Sequence, residues 1–456
     1  MNISDIVKEQ RRFVLSNKAK NLEFRKEQLL KLRSLLQANE EKLYQAIFAD
    51  FRKSEFETFM TELALVYHEI QQALKSLKTW ALPKKVRTGI ANFPGKSYIL
   101  PEPLGQTLII GAWNYPYQLT LVPLVSAMAA GNTAIVKPSE APANTARVLK
   151  ELINSNFEPG YLCVVDGGVD VSQELLKHKY DKIFFTGSTA VGRLVAEAAA
   201  RHLTPVTLEL GGKSPCFVMQ DAALERTAQR IVWGKFLNAG QTCIAPDYVL
   251  VEQTIYESFL QELKKQISKV IGENPKVSEA YPRIINESHW KRLMKLIDPS
   301  KIYYGGGADQ TERYIEPTIL KNINFEDPIM QEEIFGPLLP VIAFTSLQTV
   351  VEEVRRRPRP LALYAFTKSS DIQNKITHEI EFGGGAINDV IMHITNPRLP
   401  FGGNGESGMG NYHGEAGFRA FSHYKSLLKK SFWLEPSVKY QPYRKWKRLL
   451  VKLLMS

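Results

Sequence analysis

The chain of 456 residues is longer than one ordinary domain, so we expect two or three domains in a soluble globular protein with 44% hydrophobic and 23% charged residues. No apolar run of about 18 residues is present and no signal peptide opens the sequence, which argues against a transmembrane helix and secretion. The three cysteines are unclustered, so we expect no disulfide framework, no bound metal and a cytoplasmic location.

The net charge of +11 is uneven along the sequence. Six basic residues follow Glu435 with no acidic residue among them, namely Lys439, Arg444, Lys445, Lys447, Arg448 and Lys452. A basic balance can indicate binding to nucleic acid or to a membrane surface. No nucleic-acid-binding motif accompanies the charge, so we expect no nucleic-acid partner.

Hydrophobic periodicity predicts helices in the N-terminal region. Over residues 4–50, leucines recur at three- and four-residue spacings with charges between them, which predicts a helix. A second helical pattern covers about residues 55–80 and ends before Pro83. The segment Ile90–Leu100 then reads as extended, and its plain interpretation is a loop that crosses between domains.

From Gly105 onwards, strand and helix patterns alternate. The predicted strands are Thr107–Gly111, Thr133–Lys137, Leu162–Asp166 and Lys182–Thr186, and the predicted helices lie near 118–130, 143–155, 171–178 and 190–202. This spacing favours βαβ units and a parallel sheet. A second α/β half is predicted from Leu210, with helices near 222–238 and 253–271 and strands at 301–304, 338–344, 362–367 and 385–388.

Cys243 and Glu209 are candidate catalytic residues on local grounds. Cys243 follows Gly-Gln-Thr, where the backbone can turn tightly and present the thiol, although a buried spectator cysteine is the common alternative. Glu209 ends a β-rich run before Gly-Gly, and α/β proteins place their chemistry at such strand ends. A strand-end salt bridge is the alternative for this carboxylate. Cys163 and Cys216 are expected in the core.

Seven motifs occur in order along nearly the whole chain. They are GAWNYP at Gly111–Pro116, KPSE at Lys137–Glu140, FTGSTAVG at Phe185–Gly192, LELGGKSP at Leu208–Pro215, GQTC at Gly240–Cys243, EEIFGP at Glu332–Pro337 and PFGG at Pro400–Gly403. Together they resemble the aldehyde dehydrogenase superfamily. The LPFGGNGESGMGNYHG ending is most similar to the class 3 branch, which includes dimeric enzymes for medium-chain, aromatic and fatty aldehydes.

The resemblance implies an α/β fold with a discontinuous Rossmann-type NAD-binding domain, an α/β catalytic domain and a small bridging, or oligomerisation, sheet. The expected NAD(P)-binding domain comprises residues 1–82 and 104–209, and the expected catalytic domain comprises residues 210–384. Residues 83–103 and 385–435 would form the bridging part, in which Ile90–Leu100 becomes a projecting hairpin. The resemblance also implies a homodimer.

The implied reaction is the NAD(P)-dependent oxidation of an aldehyde to the carboxylic acid by way of a thiohemiacetal and a thioester on Cys243. Asn114 and the backbone N–H of Cys243 would stabilise the oxyanion, and Glu209 would activate the water that releases the acyl group. An asparagine that satisfies a turn before Pro116 is the local alternative for Asn114. Acyl transfer to coenzyme A, reduction of an acyl phosphate and a catalytically retired binding protein are the alternative functions, and Glu209 argues against the first two.

The dinucleotide-binding fingerprint G-x-G-x-x-G is absent. Gly187, Ser188 and Gly192 instead follow the strand-like KIFFT and open a helix, where backbone N–H groups suit a pyrophosphate. In the family, Lys137 and Glu140 reach the adenosine ribose. Because a carboxylate there repels a 2′-phosphate, Glu140 favours NAD, with NADP use left open.

The resemblance also assigns residues to the nicotinamide and to the substrate. Glu333 would accept hydrogen bonds from the nicotinamide ribose, and Phe335 would pack near the ring, whereas Glu332 would face solvent or a salt bridge. Weaker correspondence makes the substrate channel from Tyr115, Leu119, Trp233 and Thr395, although such residues also occur in any core. We assign His413 no role.

The final segment, residues 436–456, is predicted to be a basic amphipathic tail. Residues 443–455 put Trp446, Leu449, Leu450, Leu453 and Leu454 at helical spacing, with basic residues in much of the remainder. A basic amphipathic helix of this kind is typical of peripheral binding to a membrane surface. Fatty aldehyde dehydrogenases of the class 3 branch carry C-terminal helices that contact membranes or shape the substrate entrance, so the resemblance implies a lipophilic aldehyde, of medium or long chain or aromatic. Shaping the substrate entrance and docking on its own subunit or the partner subunit are the alternatives.

Overall fold

The computed structural model describes residues 2–455. Its α-helices are α1 (Ile3–Leu15), α2 (Leu22–Gln37), α3 (Glu40–Phe51), α4 (Glu55–Thr58), α5 (Ala64–Ala81), α6 (Gln118–Ala130), α7 (Ala143–Asn156), α8 (Val169–Leu176), α9 (Thr189–Ala200), α10 (Leu224–Phe236), α11 (Tyr256–Ile271), α12 (Glu287–Lys295), α13 (Leu347–Arg355), α14 (Ser370–Glu379), α15 (Gly414–Ala420) and α16 (Lys445–Met455). A π-helical turn, Phe59–Leu63, joins α4 to α5.

The strands are β1 (Lys84–Val86), β2 (Lys96–Pro103), β3 (Gln106–Ile110), β4 (Thr133–Lys137), β5 (Leu162–Val164), β6 (Lys182–Thr186), β7 (Val206–Glu209), β8 (Pro215–Val218), β9 (Tyr248–Glu252), β10 (Ile302–Tyr304), β11 (Ala308–Asp309), β12 (Tyr314–Ile315), β13 (Thr318–Leu320), β14 (Leu338–Phe344), β15 (Ala362–Phe366), β16 (Gly384–Ile387), β17 (Gly408–Met409) and β18 (Ser422–Lys429).

The N-terminal region forms three helices, so the prediction of one continuous helix over residues 4–50 is wrong. After α1, Asn17 adopts a left-handed conformation with φ of +59°. Asn21 then caps α2 by accepting hydrogen bonds from the N–H groups of Glu23 and Phe24. Because all three helices bury apolar side chains at helical spacing, this spacing alone does not reveal the breaks.

A six-stranded sheet, in the order β17-β7-β6-β3-β4-β5, organises the first half. Strands β3 to β7 pair in parallel, as the alternating strand and helix patterns predicted. Strands β3, β4 and β6 are buried along their whole length, and α6 is buried on every side. Parallel strands covered in this way read as continuous apolar runs, which explains why their bounds were predictable.

One edge of this sheet is closed by a strand from far along the chain. β17 pairs antiparallel with β7, and Gly408 lies opposite Glu209. Glu209 is the last residue of β7, which confirms the predicted position at a strand end. Glu209 therefore lies where β17, from the C-terminal part of the chain, pairs with the parallel sheet.

A seven-stranded sheet, in the order β10-β13-β14-β9-β8-β15-β16, forms the second half. Its neighbours are parallel except for β10 and β13. The sequence did not predict β8, β9 or β13. Strand β16 pairs with β15, so residues 385–387 belong to this sheet, although they fell in the bridging segment predicted over 385–435. The division into domains otherwise stays a prediction.

A separate antiparallel sheet contains β1, β2 and β18. β2 pairs with β18 along its whole length, from Lys96 opposite Lys429 to Pro103 opposite Ser422. The extended segment predicted over residues 90–100 is therefore only partly strand, because residues 90–92 form a 3₁₀ turn. The plain interpretation as a loop is wrong, since β2 is the central strand of this sheet.

The C-terminal helix α16 lies against the 3₁₀ turn at residues 90–92. Lys447 of this helix is buried, and its Nζ donates to the carbonyl oxygens of Ser437 at 3.0 Å and Tyr440 at 2.7 Å. Trp446 and Leu449 remain 52% and 75% exposed. Between residues 2 and 455, no helix combines the length and apolar character needed to span a bilayer.

Candidate active site

Cys243 follows a short turn whose backbone is left-handed. Asn238 and Ala239 have φ of +52° and +51°, and Gly240 has φ of +74°. This conformation is costly for residues other than glycine and persists only where the surroundings hold it. A Cβ atom on Gly240 would lie 2.2 Å from the carbonyl oxygen of Gly336, so the turn is also tightly packed. We refer to residues 238–243, which include the predicted nucleophile Cys243, as the nucleophile turn.

Two residues of the GAWNYP motif bind the nucleophile turn directly. The buried Nδ2 of Asn114 donates to the carbonyl oxygen of Gln241 at 3.0 Å. The hydroxyl of Tyr115 lies 2.6 Å from Oγ1 of Thr242. The structure therefore brings the predicted oxyanion donor beside Cys243 through hydrogen bonds to the two residues that precede it.

Glu209 is buried at the end of β7. Among the residues that the structure describes, neither of its carboxylate oxygens has a hydrogen-bond partner, so the alternative of a strand-end salt bridge is wrong. Burial raises the pKa of Glu209 well above the ordinary carboxyl range. Thr186 lies opposite Glu209 in the register of β6, and its hydroxyl is likewise buried without a partner in this part of the chain.

Exposure distinguishes Cys243 from the other two cysteines. Cys243 is partly exposed, whereas Cys163 and Cys216 are buried in the core as expected. Burial, followed by the nearby carboxylates of Glu333 and Glu209, raises the pKa of Cys243 to about 12. The protonated thiol is therefore favoured in this state of the site, and its activation requires a group that accepts the proton.

The helix predicted to bind pyrophosphate begins as expected. Ser188 caps α9, and its Oγ accepts the backbone N–H three residues further on at 3.4 Å. A Cβ atom on Gly187 would lie 2.6 Å from the ring of Phe185, and one on Gly192 would lie 2.5 Å from Cδ2 of Leu210. Neither glycine has room for a side chain. Only backbone is therefore present at these two positions near the start of α9.

A cleft of about 310 Å³ joins α9 to the EEIFGP segment. Its lining includes Thr189 and Arg193 of α9, Gly211 and Lys213 after β7, and Glu333. The helix start predicted for the pyrophosphate and the acid predicted for the nicotinamide ribose therefore face one cavity. The size and the mixed charge of this cavity suit part of a dinucleotide.

Glu333, which lines this cleft, and Phe335, two residues further on, are held by close packing. A Cβ atom on Gly211 would lie 2.0 Å from Oε2 of Glu333, and the N–H of Gly212 donates to the same carboxyl group. Burial raises the pKa of Glu333 to about 8. Phe335 has φ of +52°, and its ring meets that of Trp113 edge-on at 5.2 Å between centroids.

Two further ion pairs concern predicted residues. Nζ of the buried Lys137 lies 2.8 Å from Oε2 of Glu140, whose side chain is 49% exposed. Although partial burial opposes its ionisation, the hydrogen bond from Lys137 lowers the pKa of Glu140. Glu332 pairs with Arg292 at 2.9 Å on the surface, in agreement with the expectation for that acid.

The predicted substrate residues differ in their surroundings. Tyr115 contacts the nucleophile turn, and the N–H of Leu119, which is buried on α6, donates to the carbonyl oxygen of Tyr115 at 2.9 Å. Trp233 is half-buried on α10. Thr395 is exposed, and its Oγ1 donates to the carbonyl oxygen of Met392 at 2.8 Å. Their contact with a substrate stays a prediction.

Several buried polar residues near the site were not predicted. Lys53, Glu57 and Glu62 lie buried behind the nucleophile turn. Glu57 and Glu62 fall within the helical pattern of residues 55–80, in which charged side chains ordinarily face solvent. The hydroxyl of Tyr412 is buried without a partner among residues 2–455. His413 packs against Tyr412, and burial lowers its pKa to about 3, so the ring is neutral.

The sequence profile of the Aldehyde dehydrogenase family matches residues 2–427, and the chain belongs to this family. It is 45% identical to the 4,4'-diaponeurosporen-aldehyde dehydrogenase of Staphylococcus aureus (strain NCTC 8325 / PS 47), with 95% of each chain covered. It is 46% identical to the dimeric NADP-preferring aldehyde dehydrogenase of Rattus norvegicus, with 96% of this chain and 97% of that chain covered.

A solved structure described as the substrate-bound state of Staphylococcus aureus AldH is similar over 100% of both chains, with a TM-score of 0.98 and 44% identity. The family membership and these relatives confirm the predicted aldehyde dehydrogenase fold. They also confirm the predicted class of reaction, which is the NAD(P)-dependent oxidation of an aldehyde to a carboxylic acid.

Proposed function

We propose that Cys243, Asn114 and Glu209 carry out the chemistry of this aldehyde dehydrogenase. The observation that carries the proposal is the buried carboxyl group of Glu209, which lacks a hydrogen-bond partner in the described chain and raises the pKa of the nearby Cys243. Burying such a group without a partner is costly. Strongly perturbed groups of this kind cluster at functional sites, which favours a catalytic role.

In the first step, the thiol of Cys243 gives its proton to solvent, its sulfur bonds to the aldehyde carbon, and negative charge develops on the former carbonyl oxygen as the carbonyl double bond opens. The amide of Asn114 has two N–H donors, one of which is bound to Gln241. The second N–H, together with the backbone N–H of Cys243, is available for the oxyanion. Loss of one such donor typically costs about 10²–10³ in rate.

The chemistry of Glu333, which lines the cleft, and of three predicted residues outside its lining fits a nicotinamide dinucleotide. The start of α9 at Ser188 offers backbone N–H groups to the pyrophosphate, Glu140 suits the adenosine ribose, and Glu333 with Phe335 suits the nicotinamide end. A nicotinamide held there would supply the acceptor for the hydride that leaves the substrate carbon bonded to Cys243, and that carbon would become a thioester. Glu140 favours NAD because its carboxylate opposes a 2′-phosphate.

Glu209 then acts as the general base for release of the acid. It takes a proton from water, the water oxygen bonds to the thioester carbon, the carbon–sulfur bond breaks, and Glu209 returns the proton to the sulfur to restore the thiol of Cys243. The raised pKa of Glu209 makes it a stronger base than an ordinary carboxylate. This role separates the hydrolytic reaction from acyl transfer to coenzyme A, which needs no base for water.

The test is a rapid-mixing measurement of NADH formation in Glu209→Gln. We expect a stoichiometric burst followed by slow turnover, because hydride transfer remains while hydrolysis slows. Glu332→Gln, which alters a neighbouring exposed carboxylate, serves as the control and should behave like the parent. Parent-like turnover of Glu209→Gln, a coenzyme A-dependent product, or a burst in Cys243→Ser would contradict the assigned roles.

We also infer that the C-terminal tail binds membrane surfaces reversibly and that the substrate is a lipophilic aldehyde. Trp446 and Leu449 present exposed apolar surface on α16, and Arg444, Lys445 and Arg448 are exposed around them. Each such basic residue contributes about 1 kcal/mol of attraction to an anionic surface. The burial of Lys447 removes one of the predicted charges from this surface.

Sedimentation with phosphatidylserine-containing vesicles tests the tail. Deletion of residues 438–456 should lower binding and raise KM for long aldehydes more than for short ones. Trp446→Ser with Leu449→Ser should do the same while retaining every charge. Unchanged sedimentation with equal kinetics for both aldehyde chain lengths would contradict the inference. Loss of the oligomer in the deletion variant would instead show that the tail docks on the partner subunit.

We infer a homodimer that covers the edge of the three-stranded sheet. β18 is an edge strand of eight residues, with Leu427 and Leu428 exposed. Exposed edges of this length are normally covered or protected by charge. Light scattering of the parent should give twice the mass of the chain, and Leu427→Lys should lower that mass. A parent that remains monomeric at high concentration would contradict this arrangement.

A further inference from the structure

Three charged side chains lie buried behind the nucleophile turn and take no part in the chemistry proposed above. Lys53 and Glu62 form an ion pair of 3.0 Å in which both side chains are fully buried. Glu57 is buried beside them and interacts electrostatically with both. Removing charges from water is costly even when they are paired, so this cluster calls for a specific role.

The π-helical turn explains how two acids come together here. Glu57 and Glu62 are five residues apart, a separation that would direct their side chains to different sides of a regular α-helix. The π-turn over residues 59–63 pairs each residue with the fifth one along and moves Glu62 towards Glu57. Such turns occur frequently at functional sites.

Glu62 and Lys53 hold the segment that follows the oxyanion donor. Oε2 of Glu62 accepts the N–H groups of Tyr117 at 2.7 Å and of Gln118 at 3.3 Å, at the start of α6. Nζ of Lys53 lies 4.4 Å from the centroid of the Tyr115 ring. One side of the cluster therefore fixes the backbone and one aromatic ring of this segment.

Glu57 holds the nucleophile turn itself. Its Oε1 accepts the N–H of Asn238 at 2.8 Å, and Asn238 is one of the left-handed residues. Nδ2 of Asn238 in turn donates to the carbonyl oxygens of Asn114 at 2.8 Å and of Gln241 at 3.2 Å. A single side chain amide thus ties the two catalytic segments together, and Glu57 fixes the backbone that carries it.

We propose that Glu57 is a positioning residue, which holds Asn238 in its left-handed conformation and thereby aligns Asn114 with Cys243. The inference rests on the catalytic roles proposed above for Asn114 and Cys243. Glu57 touches neither residue directly and acts through the main chain of Asn238. Because a displacement of about 1 Å can cost 10²-fold in rate, a small relaxation of this turn is enough to slow the chemical step.

The essential feature of Glu57 is an acceptor oxygen at the correct distance. Burial raises the pKa of Glu57 to about 7, while Lys53 and the accepted backbone N–H lower it and Glu62 raises it. The negative charge of Glu57 also acts on Tyr115 and Tyr281, where, in addition to burial, it raises the pKa of each phenol. Glutamine keeps both the length and the acceptor without a charge, whereas aspartate keeps the charge but is one methylene too short.

The experiment compares Glu57→Gln and Glu57→Asp in the full-length enzyme with NAD and a short aldehyde. Single-turnover NADH formation should stay within about threefold of the parent in Glu57→Gln and fall by about 10- to 100-fold in Glu57→Asp. KM should change less than kcat, because the substrate pocket is not altered. An Asp variant that is as fast as the Gln variant would overturn the proposal.

Glu69 provides a matched control for nonspecific loss of stability. It is also buried and accepts one backbone N–H, from Gly414 at 2.8 Å. Glu69→Asp should leave the single-turnover rate within about twofold of the parent, and equal slowing of both Asp variants would also overturn the positioning role. NADH formation by Cys243→Ser would contradict the catalytic roles proposed above. An inactive Cys243→Ser together with parent-like Glu57 variants would contradict only the positioning role of Glu57.

Discussion

Replacing Glu69 by glutamine should stabilise the protein at neutral pH and have much less effect in acid. Glu69 lies on α5, and burial raises its pKa from 4.5 to about 7, partly offset by the N–H of Gly414. Below pH 4.5 the carboxyl is protonated in both the folded and the unfolded chain. As the pH rises towards 7, the unfolded chain ionises first, so the folded state of the parent loses stability.

The difference between 4.5 and about 7 corresponds to about 3 kcal/mol, at about 1.36 kcal/mol for each pH unit. For a cooperative unit of about 150–250 residues, this amounts to roughly 5 °C or more in Tm. Thermal melts of Glu69→Gln and the parent between pH 5 and 8.5 should diverge up to about pH 7 and then run parallel. A difference in Tm that is the same at pH 5 and pH 8 would refute the reasoning.

The remaining predictions concern the cofactor, the buried pair and the nucleophile turn. Glu140→Gln should raise kcat/KM for NADP relative to NAD, and an unchanged ratio would mean that this acid does not face the 2′ position. Glu62→Gln should cost about 3–5 kcal/mol because it leaves Lys53 buried and unpaired, and adding Lys53→Met should recover part of the lost Tm. Gly240→Ala should slow single-turnover NADH formation by about tenfold or more, because the new Cβ atom would displace the backbone at Gly336. Parent-like kinetics would show that the turn tolerates the side chain.

The sequence was most informative about the buried parallel strands. Thr133–Lys137, Lys182–Thr186 and Leu338–Phe344 were predicted with the bounds that the structure has, because strands covered on both faces form uninterrupted apolar runs. Shorter strands such as Thr318–Leu320 lack enough residues to show a pattern. Strand β8 was missed because it begins at a proline, which reads as a break.

The motifs predicted the position of Cys243, Asn114 and Glu209 but not what holds them. The contact between Glu57 and Asn238 joins segments far apart in the sequence, and its geometry depends on a π-turn that has no periodic signal. Acids within a helical pattern, such as Glu57 and Glu62, ordinarily face solvent. Only the tertiary structure shows that these charges are buried.

The pairing of β17 with β7 has a consequence for biosynthesis. The strand that carries Glu209 is complete early, but its outer neighbour, Gly408–Met409, is translated only after the entire seven-stranded sheet. Until then, the outer edge of β7 lacks its antiparallel partner. A fragment cut after residue 209 should therefore expose a strand edge that promotes aggregation, and each nascent chain completes the strand pairing around Glu209 only near the end of synthesis.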